Sequence, residues 1–492
     1  MKRSKFSLSN YKLLTCDMGE LVPIGLQEVL PGDTIQQATS LLVRVSPLLA
    51  PVMHPVHVRV HHWFVPHRLV WEDWEKFITG GPDGMDASVF PTITIGGGTG
   101  AAVGSLADYL GVPTGVNNIE VSALPFRGYA KIWNENYRDQ DLQTELTIDK
   151  TSGADTTTNT TLQNVDWEKD YFTSARPWAQ KGPDITVPLG TTAPIVSDGS
   201  APTWLTGAGA ARALTQTSGG QTVSWNSNAT ASGSVLFSNS GLEADLTGAS
   251  AASINDLREA FALQRYEENR ARYGSRFTEY LAFLGIRSSD ARLQRPEYLG
   301  GGKQVIQFSE VLQTGVTTSG SALGVADLKG HGIGAMRSNR YRKFFEEHGY
   351  VYSFVSVKPK TMYAQGLSRT WNRRTKEDFW QKELQHIGQQ EILNKELYAA
   401  HATPAGTFGY QDRYDEYRRA ESTIAGDFRS TLDYWHYARI FASDPTLNGD
   451  FVKSVPTKRV NAVTSSDVLW VMANHSIQAR RLVASGGNSF IY

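Results

Sequence analysis

Residues 40–66 read SLLVRVSPLLAPVMHPVHVRVHHWFVP, and this stretch decides the fold class. Two runs within it, 40–45 and 54–66, are rich in β-branched and aromatic residues and are bounded by proline, a pattern typical of β-strands. Further strand candidates lie at 92–95, 185–189, 303–313, 350–360 and 467–473. Because long connecting segments separate these strand candidates, the strand pattern does not match βαβ repeats. The sequence predicts a mainly β fold, a β-sandwich with long insertions between its strands.

Few helices are expected. The long candidate spans 253–284, where Ser253 is placed to cap the helix and Ile254, Leu257 and Phe261 fall on one face. A second helix candidate, WEDWEKFI at 71–78, is long enough for one or two helical turns. It is expected to end before Gly80 and Gly81.

An insertion at about 184–252 differs from the rest of the chain in composition. Ser, Thr, Gly and Ala make up more than half of it, and few of its residues are charged. A loop of this length inside a compact domain is usually functional or disordered. Its low charge and scattered aromatic residues favour an exposed decoration. We therefore expect one domain over 1–492 with a surface protrusion at 184–252.

Charge and cysteine content exclude several classes of protein. The chain has 48 Lys and Arg against 49 Asp and Glu, so it is no general nucleic-acid clamp, which would need an excess of cations to neutralise phosphates. Cys16 is the only cysteine, which excludes a disulfide framework and a multi-cysteine metal site and suits folding in a reducing cytoplasm. No secretory signal or membrane-spanning segment is expected.

Five of the eleven histidines fall between His54 and His67. On a strand, His57 and His61 share a face with Arg59, whose positive charge would sit where a metal ion would bind. We therefore predict no metal site and interpret this run as a polar strand edge that faces solvent or a partner.

No pattern predicts catalysis or a cofactor. The glycine run at 96–101 follows a strand candidate, but the helix after it is too short for a dinucleotide-binding fold. Glu346, Glu347 and His348 are adjacent in sequence, an arrangement more typical of a solvated turn than of acid–base machinery. Nucleophile and phosphate-loop motifs are absent from the sequence. The chain is predicted not to be an enzyme and to need no cofactor.

Basic residues gather near aromatic ones in three places. These candidate residues are Lys2, Arg3 and Lys5 at the N-terminus, then Arg337, Arg340, Arg342 and Lys343, and finally Arg369, Arg373, Arg374 and Lys376 around Trp371. Arginine beside aromatic rings suits single-stranded nucleic acid. The same composition is typical of a subunit interface, and both interpretations stay open for the two internal clusters.

Several longer stretches, in a fixed order, carry a resemblance to a known family. They are GELVPIGLQEVLPGDT (19–34), WFVPHRLVWEDWEKFITG (63–80), LADYLGVP followed by SALPFRGYAKIWNENYRDQDLQ (122–143), DARLQRPEYLGG (290–301) followed by EVLQT, EEHGYVYSFVSVKP, TMYAQGLSRTWNRR and YDEYRRAESTIAGDFRSTLDYWHYAR (414–439). Together they resemble the major capsid proteins of Microviridae bacteriophages, especially the gokushovirus-like branch. No motif within the insertion contributes to this resemblance, although related phages carry an insertion that projects from the shell surface.

The resemblance implies an eight-stranded jelly roll that self-assembles into a T=1 icosahedral capsid around a circular single-stranded DNA genome. It implies a structural protein of the virion, made in the host bacterial cytoplasm. Expected partners are other copies of the chain, an internal scaffolding protein, a pilot protein, a small basic DNA-binding protein and a host surface receptor. Because the net charge is −1, contacts with the DNA are expected to be weak, two or three phosphates per subunit. The alternative is a carbohydrate-binding or glycoside-cleaving β-sandwich, which needs a carboxylate pair in a cleft.

Overall fold

The computed structural model describes most of the chain. The described residues are 3–183, 185, 195–197, 203–205, 211–216, 223–225, 236–239, 242–244, 254–273, 277–285, 293–314 and 327–484. They divide into two compact units, one made of Met1–Ala179 with Ala271–Tyr492 and the other of Gln180–Arg270.

Strands dominate the first unit. They are β1 (Ser4–Ser7), β2 (Asn10–Cys16), β3 (Val22–Val29), β4 (Thr34–Leu48), β5 (Val56–Pro66), β6 (Thr92–Ile95), β7 (Ile119–Ser122), β14 (Glu297–Val305), β15 (Gln307–Leu312), β16 (Leu328–Arg337), β17 (Tyr341–Phe344), β18 (Gly349–Pro359), β19 (Gln389–Leu393), β20 (Thr407–Asp412) and β21 (Leu469–Arg481). The second unit contains β8 (Ile195–Ser197), β9 (Thr203–Leu205), β10 (Ala211–Gln216), β11 (Val223–Trp225), β12 (Leu236–Asn239) and β13 (Leu242–Ala244).

Helices are short apart from two. They are α1 (Trp74–Thr79), α2 (Leu106–Leu110), α3 (Leu124–Asn136), α4 (Ile254–Tyr273), α5 (Phe277–Phe283), α6 (Asn394–Leu397) and α7 (Gly449–Val452). The 3-10 helices are His67–Leu69, Arg369–Asn372, Lys376–Asp378, Glu383–His386, Asp415–Tyr417, Gly426–Arg429 and Asp433–Trp435. None of the described helices is both long and apolar enough to cross a membrane.

Two antiparallel sheets form the centre of the first unit. The seven-stranded sheet has the order β1-β21-β4-β16-β15, with β2 also paired to β21 and β17 to β4. The four-stranded sheet has the order β14-β5-β18-β3. Val43 of β4 and Val471 of β21 pack in one buried cluster with Val58 and Val60 of β5 and Val355 of β18, so the core lies between the sheets. The predicted mainly β sandwich is confirmed.

A layer of polar side chains interrupts this core, and we call it the inter-sheet polar layer. Its members are all buried: Gln37, Thr39, His62, Ser338, Ser353 and His475. The Nδ1 atom of His62 lies 2.8 Å from Ser353 Oγ, and Gln37 Nε2 donates to the same oxygen at 3.1 Å. Because Gln37 is on β4 and Ser353 on β18, this layer joins the two sheets by hydrogen bonds.

A second core covers the other face of the four-stranded sheet. Phe126 and Tyr129 of α3 pack with Tyr352 and Phe354 of β18, whose side chains alternate with those that face the first core. The four-stranded sheet is therefore covered on both faces, and β18 is buried along almost its whole length.

Several helices and strands differ in detail from those predicted from the sequence. The single helix predicted at 253–284 is two helices, α4 and α5, and the strand predicted at 303–313 is divided between β14 and β15. The strand predicted at 185–189 lies almost wholly outside the described residues, as does most of the 184–252 insertion. The helix after the glycine run, α2, has five residues, which agrees with the short helix expected there.

The interpretation of the histidine run as a strand edge is wrong. β5 pairs with β14 on one side and with β18 on the other, so it is an interior strand. His62 is fully buried in the inter-sheet polar layer, and His54 and His67 are also buried. His61 lies on the opposite face, where its Nδ1 is 2.7 Å from the Tyr137 hydroxyl.

Candidate functional site

The side of the seven-stranded sheet that faces away from the core carries several exposed basic side chains. Along β21, exposed and buried side chains alternate, so Trp470, Met472 and Arg480 point outward. The register places Arg480 beside Lys5 of β1 and beside Thr34 of β4. The same alternation on the other strands brings basic residues from distant parts of the chain to this one surface.

We call this surface the basic face. Its exposed cations are Lys5, Arg44, Lys329, Arg337, Arg342 and Arg480. Within these seven described strands, the register places no acidic residue on this side, and none of the six cations forms an ion pair with a residue that the structure describes. The result is a broad positive potential across one sheet.

Aromatic and apolar side chains lie among these cations. Tyr11 and Leu13 of β2 are 72% and 77% exposed, and Trp470 opposite β2 is 47% exposed. At the other end of the sheet, the Arg3 guanidinium lies 5.4 Å from the ring centroid of Phe344. Charge beside exposed rings is the combination that single-stranded nucleic acid requires, because phosphates bind the cations and bases stack on the rings.

The predicted N-terminal and 337–343 clusters therefore meet on one surface. Arg3 donates to the Gly32 carbonyl oxygen at 3.0 Å, and Arg340 is exposed in the connection after β16. Lys343 is different, since its Nζ pairs with Glu297 at 2.6 Å. Lys2 lies outside the described residues. Sequence reasoning missed Arg44, Lys329 and Arg480, because only strand pairing brings them beside the others.

The cluster at 369–376 is mostly neutralised by carboxylates. Arg369 pairs with Glu396 at 2.9 Å, and both Arg369 and Arg373 approach Glu416, at 3.7 and 3.6 Å. Lys376 lies 3.7 Å from Glu377. Arg374 is the exception: its backbone N–H donates to Asp378 Oδ2 at 2.7 Å, but its guanidinium forms no ion pair with a described residue. The 369–376 cluster therefore has little unpaired positive charge with which to bind a phosphate. In this it differs from the 337–343 cluster, which contributes Arg337 and Arg342 to the basic face.

A polar cavity of about 490 Å³ lies beside the end of α3. Burial alone would raise the pKa of the Asp139 carboxyl, but Lys169 and Arg176 together lower it. Burial raises the pKa of Asp166 to about 6, and this carboxylate accepts from Gln143 at 2.8 Å. The Asp139 and Asp166 carboxylates thus both interact with side chains of the protein itself. Among the described residues, no group of three His, Cys, Asp or Glu side chains is arranged to hold a metal ion.

Comparison with known proteins gives one consistent answer. The family model described as Capsid protein (F protein) matches residues 1–483. The chain is 40% identical to the capsid protein VP1 of Bdellovibrio phage phiMH2K, over 94% of this chain and 90% of that protein. It is 34% identical to the capsid protein VP1 of Chlamydia phage 1, over 94% and 91%. With the capsid protein VP1 of Spiroplasma virus 4 it shares 32% identity over 92% and 87%. The chain therefore belongs to the Capsid protein (F protein) family and is a major capsid protein of the Microviridae type.

Proposed function

We propose that this capsid protein builds a T=1 icosahedral shell of eight-stranded jelly-roll subunits around a circular single-stranded DNA genome, with the basic face against the DNA. The observation that carries the proposal is the composition of this face, which has six exposed cations, exposed aromatic rings and, within its described strands, no acid. Phosphate neutralisation supplies sequence-independent affinity, as a packaged genome requires.

The basic face changes the expected strength of the DNA contact. The net charge of the chain alone predicts contacts with two or three phosphates per subunit, whereas the face presents six cations that make no ion pair with a described residue. For single strands, the slope of log affinity against log salt is about −0.7 for each neutralised phosphate. Full use of the face therefore gives a slope of roughly −4, against roughly −1.5 to −2 for the weaker contact.

A salt titration of single-stranded DNA binding tests this proposal. In the variant R342Q/R480Q the slope should become shallower by about 1.4, because two phosphate contacts are lost. The matched control is R374Q/K376Q, which also removes two exposed cations, from the 369–376 cluster, and should leave the slope unchanged. Equal effects of the two changes would refute the assignment of the DNA to the basic face.

We further propose that the insertion at about 184–252 forms an exterior protrusion that contacts a host surface receptor. The division of the chain into two units supports this proposal, because the second unit, Gln180–Arg270, contains the whole insertion. The expected internal scaffolding protein, pilot protein and small basic DNA-binding protein remain proposals that rest on the family.

Catalysis is not part of the proposed function. The glycoside-cleaving alternative is not favoured, since the family match covers nearly the whole chain. The carboxylates in the 490 Å³ cavity would be its best candidates, and their contacts with Lys169, Arg176 and Gln143 support a structural role.

A further inference from the structure

Exposed aromatic side chains surround the neutralised cluster at 369–376. We call this surface the aromatic patch, and its members are Trp371, Phe379, Trp380 and Tyr417 with Arg373 and Arg374. Trp371 is 70% exposed, and the other three rings are each about half exposed: Phe379 52%, Trp380 53% and Tyr417 48%. Such a concentration of exposed rings is uncommon on a soluble monomer and marks an interaction site.

The patch is held in place by contacts among its own members and with the buried Tyr414. The Arg373 guanidinium lies 4.3 Å from the ring centroid of Tyr417 and 5.5 Å from that of Phe379. The backbone N–H of Trp380 donates to the Tyr417 hydroxyl at 3.3 Å. The Tyr414 hydroxyl donates to the Phe379 carbonyl oxygen at 3.0 Å. A pre-formed surface loses less conformational entropy when a partner binds.

Charge separates this patch from the basic face. Three of the four cations in 369–376 are paired with glutamates, so the patch lacks the unpaired positive charge that phosphate contacts require. A surface that is nearly neutral can meet an identical surface, or another part of an identical subunit, without strong like-charge repulsion. Trp, Tyr and Arg are also the residues that most often dominate protein–protein binding energy.

We propose that the aromatic patch is a subunit–subunit interface occupied by a second copy of this chain. The four rings together expose on the order of 400 Å², about half of the ~800 Å² that each partner contributes to a standard interface. The proposal deepens the self-association of a capsid protein by locating one of its contacts, and it does not depend on the DNA assignment.

Sedimentation velocity of the purified full-length chain over a concentration series tests the proposal. The variant W371A should raise the concentration needed for half-maximal association at least tenfold, as expected when a large exposed ring becomes buried in an interface. W371F should restore most of the loss. Since Trp371 is largely exposed, the circular dichroism spectrum and thermal unfolding of W371A should match those of the wild type. If W371A does not fold like the wild type, W380A is measured in its place.

The matched control is Y11A, which removes an equally exposed ring from the basic face. It should weaken DNA binding while association stays within twofold of the wild type, and W371A should do the reverse. Equal sedimentation of wild type, W371A and W380A at every concentration, whether all associate or all stay monomeric, would overturn the proposal. DNA binding measured on the same samples shows separately whether the basic-face assignment fails.

Discussion

Single residues in the interior make the stability of this protein sensitive to acid. Burial lowers the pKa of His62 to about 3 and those of His54 and His67 to about 4. His62 packs against Ser353, Ser338 and the Tyr341 ring, with His475 and His61 as its nearest charged neighbours when protonated. None of these described neighbours carries a negative charge that would stabilise a protonated His62.

The sign of the pH dependence follows from these shifts. In the unfolded chain these histidines titrate near 6.5, so below that pH the unfolded state binds more protons than the folded state. The contribution of these histidines to the free energy of unfolding is therefore largest above pH 6.5 and falls as the pH drops towards 4. In H62Q the glutamine cannot be protonated. The free energy of unfolding of this variant should therefore fall by roughly 3 kcal/mol less than that of the wild type between pH 6.5 and 4. Urea unfolding at a series of pH values measures it, and an unchanged pH slope in H62Q would contradict the assignment.

The buried ion pair between α3 and the following loop is a second residue-scale feature. Arg127 Nε donates to Asp155 Oδ2 at 2.8 Å, and both side chains are fully buried. R127M should cost about 3–5 kcal/mol of unfolding free energy, because it leaves a buried carboxylate without its cation. The double variant R127M/D155N should lose less than R127M alone. A double variant that loses as much as the sum of the two single changes would show that the charges are not coupled.

At the scale of elements, the contact between α3 and β18 is set by one glycine. A Cβ atom added at Gly128 would lie 2.0 Å from the hydroxyl oxygen of Tyr352. G128A should therefore destabilise the protein by about 1–3 kcal/mol, the usual cost of overpacking. Adding Y352F, which removes that oxygen, should recover part of the loss. Chemical denaturation measures both, and a G128A protein as stable as the wild type would show that helix and strand can separate at little cost.

The elements also show what sequence can and cannot predict. The strands at 54–66 and 350–360 were predicted because β-branched and aromatic runs are a local signal. The position of β5 inside its sheet was not, because its neighbours β14 and β18 lie more than 200 residues away in sequence. The basic face was predicted only in part for the same reason. Lys5 and Arg480 are adjacent only because β1 pairs with β21.

At the scale of the whole molecule, the insertion at 184–252 gives a prediction about assembled particles. An exterior loop rich in small polar residues is the preferred site of proteolytic cleavage. Brief protease treatment of intact particles should cut within 184–252 before it cuts any strand of the two large sheets, and the cut particles should keep their sedimentation rate. Mass spectrometry of the fragments locates the first cut. Early cuts in the sheets with an intact insertion would place the insertion inside the particle.

Electron microscopy of the assembled particles, reconstructed to a resolution that traces the chain, shows which side of the subunit lines the shell. We predict a closed T=1 icosahedral shell in which the basic face lines the interior, with nucleic-acid density beside Arg342 and Arg480. An open or non-icosahedral assembly, or a shell in which the basic face points outward or is covered by another subunit, would contradict it.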